Sequence, residues 1–341
     1  MQVLSYLEHF YFQNICINCT KSQAGTWLKR IFPLLIITFL FCFLLVFPMQ
    51  TLEASKTGLL LWFDTLLPTL LPFLILSQLI LKTSLVDSLR KVSGPAFRRI
   101  FHCSDYGVFC FLCGLLCGNP VGARLIALQI KDKNLSVQEG QFLLSFCNNV
   151  SPMFCISYGI IHAIGTSNVL PYLICIYGSA LLFGFFTRPA ILPKNCIKKQ
   201  TSPTENIFQF IDVCIIDSFM VLIKLCAYLI LFTIISKGFL LFVPERFSYA
   251  APVITSILEI TGGLSCISKL PLGYVRSAFG IAAMTFGGLC CIFQTNSVLA
   301  DTGLSLKKYI LHKVIITILA LFLFFLWNFF HNGSFAINCW S

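Results

Sequence analysis

Short runs of polar residues, glycine and proline interrupt several apolar segments of the chain, and the first run occupies residues 118–124. Pro120 lacks an N–H group and leaves a carbonyl of the preceding turn free, while Gly122 allows another backbone to approach closely. Asn119 adds hydrogen-bond donors and an acceptor, and Arg124 adds a permanent charge. These groups could bind a polar solute. A proline kink with an arginine that reaches the membrane interface is the structural alternative.

The second run, residues 145–152, reads Ser-Phe-Cys-Asn-Asn-Val-Ser-Pro. The side-chain amides of Asn148 and Asn149 both donate and accept hydrogen bonds, which suits a nucleoside, an amino acid or a hydrated ion. Alternatively, these residues and Ser151 cap the end of a membrane helix. The two interpretations are compatible, because the start of a half-helix points its positive dipole end at an anion or a carbonyl.

The third run places one carboxylate, Glu259, beside Thr261, Gly262 and a second glycine. At membrane depth Glu259 should be protonated, paired with a base such as Arg124, or bound to a cation. An interfacial position against Lys269 is the alternative. We therefore include Glu259, Thr261 and Gly262 among the candidate substrate-binding residues.

The fourth run contains Gln294, Thr295, Asn296 and Ser297 and follows a pair of glycines. Polar groups cost free energy inside a bilayer, so such a cluster favours a functional role. Gln294 and Asn296 complete the predicted substrate-binding set.

Other kinds of chemistry lack their signatures in this sequence. It contains neither a phosphate-binding Gly-x-x-x-x-Gly-Lys-Ser/Thr loop nor a His-Glu-x-x-His or Gly-x-Ser-x-Gly motif, and its histidines are scattered. Cys110, Cys113 and Cys117 share one helical face, but packing of small residues explains them better than a cluster site. Cys16 and Cys19 have metal-site spacing without a second pair. We expect no catalytic residue, no metal and no cofactor, and hence no enzyme.

The composition identifies the class of protein. Of the 341 residues, 57% are hydrophobic and 11% are charged, whereas soluble proteins have about a quarter charged residues. This excludes a soluble globular chain and predicts an integral membrane protein whose main partner is the lipid bilayer. The net charge of +11 is expected in cytoplasmic loops, so nucleic acid is not implied as a partner.

Hydropathy and loop charge together predict an all-α polytopic fold with about seven crossings and two re-entrant or broken helices. The basic loops, which include Lys307, Lys308 and Lys313, and the N-terminus should be cytoplasmic, while Lys131 to Lys133 should face outward. The predicted crossings are 31–47, 58–81, 106–130, 169–186, 210–243, 275–300 and 309–330, and the predicted re-entrant segments are 142–164 and 250–270.

The two halves of the chain resemble each other. Residues 118–136 align without gaps with residues 287–305, and the loop charges then place Lys133 and Ser305 on opposite sides of the membrane. This predicts an inverted repeat, an arrangement found in many secondary transporters.

The predicted organisation has six parts. It comprises a cytoplasmic segment 1–30, a first transmembrane helix 31–50, a first repeat half 51–187, a basic cytoplasmic loop 188–209, a second repeat half 210–331 and a tail 332–341.

The motifs at 118–124, 144–154, 258–263 and 286–289 resemble those of the sporulation integral membrane protein YlbJ family, with similarity over about residues 58–330. The resemblance implies membership of the nucleoside-recognition, or Gate, group. It also implies a cell-membrane protein of an endospore-forming Gram-positive bacterium, needed for spore formation at the cortex stage. Asn119 and Arg124 depart from the usual Tyr and Lys, and residues 290–294 lack the His that is common in the family.

The function expected from these observations is that of a transporter or permease for a small polar solute or ion. The alternative is a membrane scaffold that moves nothing and recruits other sporulation membrane proteins.

Overall fold

The computed structural model describes residues 34, 37, 38, 40–81, 97–189, 207–244 and 249–331. Within these ranges every regular element is helical. The chain divides into two compact units, Met1–Thr51 and Leu52–Ser341. All four polar runs lie in the second unit, so the candidate site belongs to that unit.

Two helices, α1 (Pro48–Leu61) and α2 (Leu67–Leu81), flank a π-helical turn at Trp62–Leu66.

The first polar run forms the turn of a helical hairpin, whose arms are α3 (Asp105–Cys117) and α4 (Val121–Lys131). We call α3 and α4 the first hairpin, because a Cβ on Gly114 would lie 3.1 Å from the Cα of Gly122. Glycine at both positions lets the two arms touch.

The second polar run breaks a helix. The helix α5 (Val137–Cys147) begins at Ser136, whose side chain accepts from Glu139 N, and ends before residues 148–151. A new start follows, in which Ser151 accepts from Phe154 N and α6 (Pro152–Phe154) leads into a π-helical segment, Cys155–Ile164. We call this whole element the first broken helix.

The second part of the chain repeats this order of elements. After α7 (Leu170–Phe186) and α8 (Ile207–Leu241), a second hairpin consists of α9 (Ala250–Leu258) and α10 (Ile260–Ile267). The second broken helix consists of α11 (Tyr274–Phe286) and α12 (Gly288–Val298), which are separated at Gly287. The last helix is α13 (Leu306–His331).

Several of these helices are suited to a bilayer. Phe210–Leu241, Tyr274–Val298 and Leu306–Phe330 are long and apolar enough to cross, and Asp105–Cys117 and Leu170–Phe186 are shorter apolar helices. A helix rises about 1.5 Å per residue and needs about 20 residues to span. The expected all-α polytopic membrane fold is confirmed.

The helix expected over residues 106–130 is not continuous in the structure. The segment 106–130 was expected to cross as one helix, but it is divided between the two arms of the first hairpin. The segment 142–164 contains a break. The part before the break packs in one apolar cluster, with Leu143 and Phe146, and the part after it packs in another, with Ile160 and Ile164. The physical reason for the division of 106–130 is the turn at Gly118, which has φ 78° and whose backbone lies directly against Ser151.

The alignment of 118–136 with 287–305 predicted that Lys133 and Ser305 lie on opposite sides, and this prediction was wrong. Gln141 Oε1 accepts from Ser305 N at 2.6 Å, and a Cβ on Gly303 would lie 3.7 Å from Val137 Cγ1. The loop that contains Lys133 and the loop before α13 therefore lie at the same end of the second unit. Reversal of the chain within the first hairpin accounts for the difference.

Candidate functional site

A cavity of about 380 Å³ lies where the two hairpins and the two broken helices meet. We call it the central cavity. It is lined by residues from every one of the four polar runs. The predicted site residues among its lining are Asn119, Ser151, Glu259, Thr261 and Gln294.

The turn of the second hairpin is built around Glu259. Its Oε1 accepts from Thr261 N at 2.7 Å and its Oε2 from Gly262 N at 2.6 Å. A carboxylate suits the start of α10, where backbone N–H groups lack helical partners and the dipole is positive. Glu259 is only 2% exposed, so a buried carboxyl group lies in the wall of the cavity.

Glu259 pairs with neither of the two basic residues considered for it from the sequence, Arg124 and Lys269. Arg124 pairs instead with Asp217, with 3.9 Å between Nη2 and Oδ2. Glu259 is buried and bonded to backbone N–H groups rather than exposed at an interface beside Lys269. A second carboxylate, Asp64, lines the central cavity from the π-helical turn between α1 and α2. Asp64 is part of the π-helical turn. It was not among the residues predicted for the site, because it is a single acidic residue in the apolar segment 58–81.

The first hairpin and the first broken helix meet at their breaks. Asn119 N donates to Asn149 O at 2.7 Å. A Cβ on Gly118 would lie 2.5 Å from Ser151 N, so only glycine permits this approach. The close contact brings Asn119 and Ser151 into the same cavity wall.

A buried hydrogen-bond network joins the first half to the second half. Asn148 Nδ2 donates to Thr295 Oγ1 and to the Tyr309 hydroxyl, both at 2.9 Å. Thr295 Oγ1 has two acceptors for its single proton, Cys291 O of its own helix at 2.8 Å and Asn119 Oδ1 at 3.1 Å. Asn148 and Thr295 are both 0% exposed. Asn148 therefore links the halves behind the cavity rather than forming part of its lining.

Asn149 is held by a residue that the sequence reasoning placed in a loop. Lys313 was expected in a cytoplasmic basic loop, but it lies within α13 and is 2% exposed. Its Nζ donates to Asn149 Oδ1 at 2.9 Å. A lone lysine inside the otherwise apolar run that begins at Tyr309 was the signal that could have identified it.

A second cavity, of about 220 Å³, lies beside the central cavity. We call it the basic cavity, because Arg124, Lys131 and Lys224 line it. Pro120 also lines it, and Gln294 lines both cavities. Arg124 and Glu259 therefore line different cavities, and Gln294 lies between the two cavities.

Five predicted residues line neither cavity, namely Asn148 and Asn149, whose contacts are given above, and Gly122, Gly262 and Asn296. Gly122 packs at the crossing point of the first hairpin, and Gly262 donates its N–H to Glu259. Asn296 is exposed on α12, whereas its neighbour Thr295 is buried. Helical periodicity explains the difference between Thr295 and Asn296, because adjacent residues of a helix point about 100° apart.

The cysteines of the described residues are free thiols. In that part of the chain no group of three His, Cys, Asp or Glu side chains is placed to bind a metal ion. The Cys16 and Cys19 pair lies outside the described residues. Cys110 and Cys117 are buried in the apolar core with Phe109 and Phe111, where thiols pack as small apolar groups.

The long apolar helices and the paired hairpins define an all-α polytopic membrane protein. The chain is 24% identical to the sporulation integral membrane protein YlbJ of Bacillus subtilis (strain 168), over 88% of this chain and 84% of that protein. The resemblance expected from the motifs is therefore confirmed. No family model matches the chain, and no solved structure matches it.

Proposed function

We propose that this protein is a transporter or permease for a small polar solute, not an enzyme, and that the solute binds in the central cavity. The observation that carries the proposal is the meeting of four helix interruptions around polar side chains, among them Asn119, Glu259 and Gln294. Irregular backbone at membrane depth is stable only where protein or water surrounds it. Transporters commonly place their substrates at such sites.

We include an inverted repeat in the proposal, because the order of the helical elements agrees with one. Each half contains a hairpin, a broken helix and an unbroken helix in that order, with α7 and α13 as the unbroken helices. This order pairs the Gly118 turn with the Glu259 turn, rather than with Gly287. With the basic loops cytoplasmic, the first hairpin enters from the cytoplasmic side and the second hairpin from the opposite side.

The end contacts are consistent with this topology. Arg188, after α7, donates to Ile100 O before α3 at 2.8 Å, which places two basic regions together. At the other end Arg276 Nε donates to Ala163 O at 2.7 Å. The loop before α7 and the start of α11 therefore share one end, as two outward-facing loops should.

Cysteine labelling tests the proposed topology. Lys133→Cys and Ser305→Cys should react with an impermeant thiol reagent from the same side, and Asn168→Cys from the other side. The parent chain, with its native cysteines, gives the background. Labelling of Lys133→Cys and Ser305→Cys from opposite sides would contradict the repeat in this form.

The relative's name connects the proposal to spore formation, and we infer that this chain acts in the same process in a cell membrane. A polar solute would then cross a membrane of the sporulating cell. The basic loops and the N-terminus would face the cytoplasm. Deletion in the organism that encodes the chain, followed by spore counts, tests this part separately from transport.

Binding can be tested without knowing the solute. We expect one class among nucleosides, amino acids, dicarboxylates and metal ions to raise the melting temperature of the detergent-purified protein, because a ligand of the folded state stabilises it. Gln294→Leu, which removes the amide from the cavity wall, should abolish the shift. Asn296→Ala is the matched control on the same helix and should retain it.

The outcome also decides between the transporter and the scaffold. A solute-dependent shift that Gln294→Leu removes, followed by flux of that solute into proteoliposomes, supports transport. Folded protein that responds to none of these classes would favour the scaffold, and co-purification of sporulation membrane proteins would then be the next measurement.

A further inference from the structure

Lys313 is a buried cation on α13 whose position the proposed function does not use. The whole residue is 2% exposed, and its helix is one of those apolar enough to cross a membrane. Among the described residues no carboxylate forms an ion pair with it. A buried charge without partners is strongly destabilising, so the groups around its ammonium must compensate it.

The ammonium contacts both broken helices. Nζ donates to Asn149 Oδ1 at 2.9 Å, in the break of the first broken helix. It also donates to Thr285 O at 3.3 Å, within the last turn of α11 before Gly287. The carbonyls of a last helical turn lack helical partners and lie at the negative end of the dipole. One cation therefore satisfies oxygen atoms at both interruptions.

Oxygen atoms of this kind are the ligands that transporters use for coupling ions. Unwound carbonyls and the C-terminal ends of half-helices bind Na⁺ at the interface between repeats. The amide oxygen of Asn149 and the carbonyl of Thr285 provide these ligands, but a covalently attached ammonium occupies the position between them.

We propose that Lys313 is an internal tethered cation that takes the place of a coupling metal ion and holds the two broken helices together, so that this protein needs no Na⁺ or K⁺. Only the replacement of a coupling ion rests on the proposed transport function. The link that Lys313 makes between the two broken helices is a property of the folded state. Lys313 is a positioning residue, because it lines neither cavity and acts through Asn149.

Replacement of the tethered cation by a free one is the test. Lys313→Ala removes the ammonium and leaves room for a small ion, whereas Lys313→Met fills the same space without charge. We expect NH₄⁺ to raise the melting temperature of Lys313→Ala by about 2–4 °C relative to choline at equal ionic strength. The wild type, Lys313→Met and the exposed-lysine control Lys308→Ala should not respond.

The absence of a response in Lys313→Ala, or an equal response in Lys313→Met, would overturn the proposal. If Lys313→Ala does not fold, the wild type still provides a test. Its melting temperature should be the same in Na⁺, K⁺ and choline, and specific stabilisation by Na⁺ or K⁺ would reject an internal substitute. Because the readout is stability, a failed solute screen with an intact NH₄⁺ response would favour the scaffold over transport while leaving the tethered cation in place.

Discussion

The turns of the two hairpins reverse the chain by different chemistry. In the first hairpin the turn uses Gly118 at positive φ and donates Asn119 N to the neighbouring break. In the second hairpin Glu259 accepts two N–H groups at the start of α10. The first turn depends on the absence of a side chain and the second on a buried carboxyl group. Of the two hairpin turns, only the second therefore brings a carboxyl group to the central cavity, whose other carboxyl group, Asp64, comes from the π-helical turn between α1 and α2.

The largest effect should come from Gly118→Ala. The new Cβ would lie 2.5 Å from Ser151 N, and the backbone at φ 78° and ψ −167° is in a region open almost only to glycine, which costs other residues about 1–3 kcal/mol. We expect little folded protein by size-exclusion chromatography. Gly273→Ala is the control, because Gly273 also has positive φ but no atom within 4 Å of a Cβ. Similar losses in both variants would mean that the contact with Ser151 is unimportant.

The second turn should show a graded response. Glu259→Ala leaves two buried N–H groups without acceptors, and each costs about 1–3 kcal/mol. Glu259→Gln keeps one acceptor oxygen, so its melting temperature should fall about half as far. Equal losses in the two variants would indicate that the charge of Glu259, rather than its acceptor capacity, stabilises the turn.

The network between the halves should contribute less than either turn. Thr295→Val removes the hydroxyl that accepts from Asn148 Nδ2 across the two halves, and hydrogen bonds between membrane helices are worth about 0.6 kcal/mol on average. We expect a small drop in melting temperature that is not additive with Asn148→Ala. Thr317→Val is the control, since the Thr317 hydroxyl bonds only within its own helix. Full additivity would contradict direct coupling of the halves through Thr295.

The smallest effect should come from Asp217→Asn beside the basic cavity. Its ion pair with Arg124 is long, at 3.9 Å, and the Asp217 side chain is 55% exposed. The Arg124 side chain is largely buried, at 12% exposed, but a pair this long with one partner in solvent contributes at most about 1 kcal/mol. The melting temperature should therefore match that of Asp212→Asn, an exposed aspartate on the same helix. A larger drop would show that the basic cavity depends on this carboxylate.

The sequence predicted several residues of the site but not their arrangement in space. Asn119, Ser151, Glu259, Thr261 and Gln294 could be selected because polar groups are costly in an apolar segment. Their assembly in one cavity could not be selected in this way, because it depends on contacts between residues far apart in the chain.

Other assignments failed for a related reason. The loop charges predicted that Lys313 lies outside the membrane. They carry no information about the Asn149 side-chain amide and the Thr285 carbonyl that accept hydrogen bonds from its ammonium group. The segment 106–130 has enough apolar residues for a crossing, yet the turn at Gly118 folds it back. Hydropathy measures the preference of a segment for lipid, but it does not measure chain direction.

Composition and periodicity by themselves determined an all-α membrane protein with interruptions at Gly118, Asn148 and Glu259, because apolar length and breaker residues are local properties. Only the tertiary structure decided which interruptions form hairpins, that Arg124 and Glu259 line different cavities, and that Lys313 joins the two broken helices. The physical reason is that hydrogen bonding and charge compensation at membrane depth are satisfied between helices, by partners that sequence proximity does not reveal.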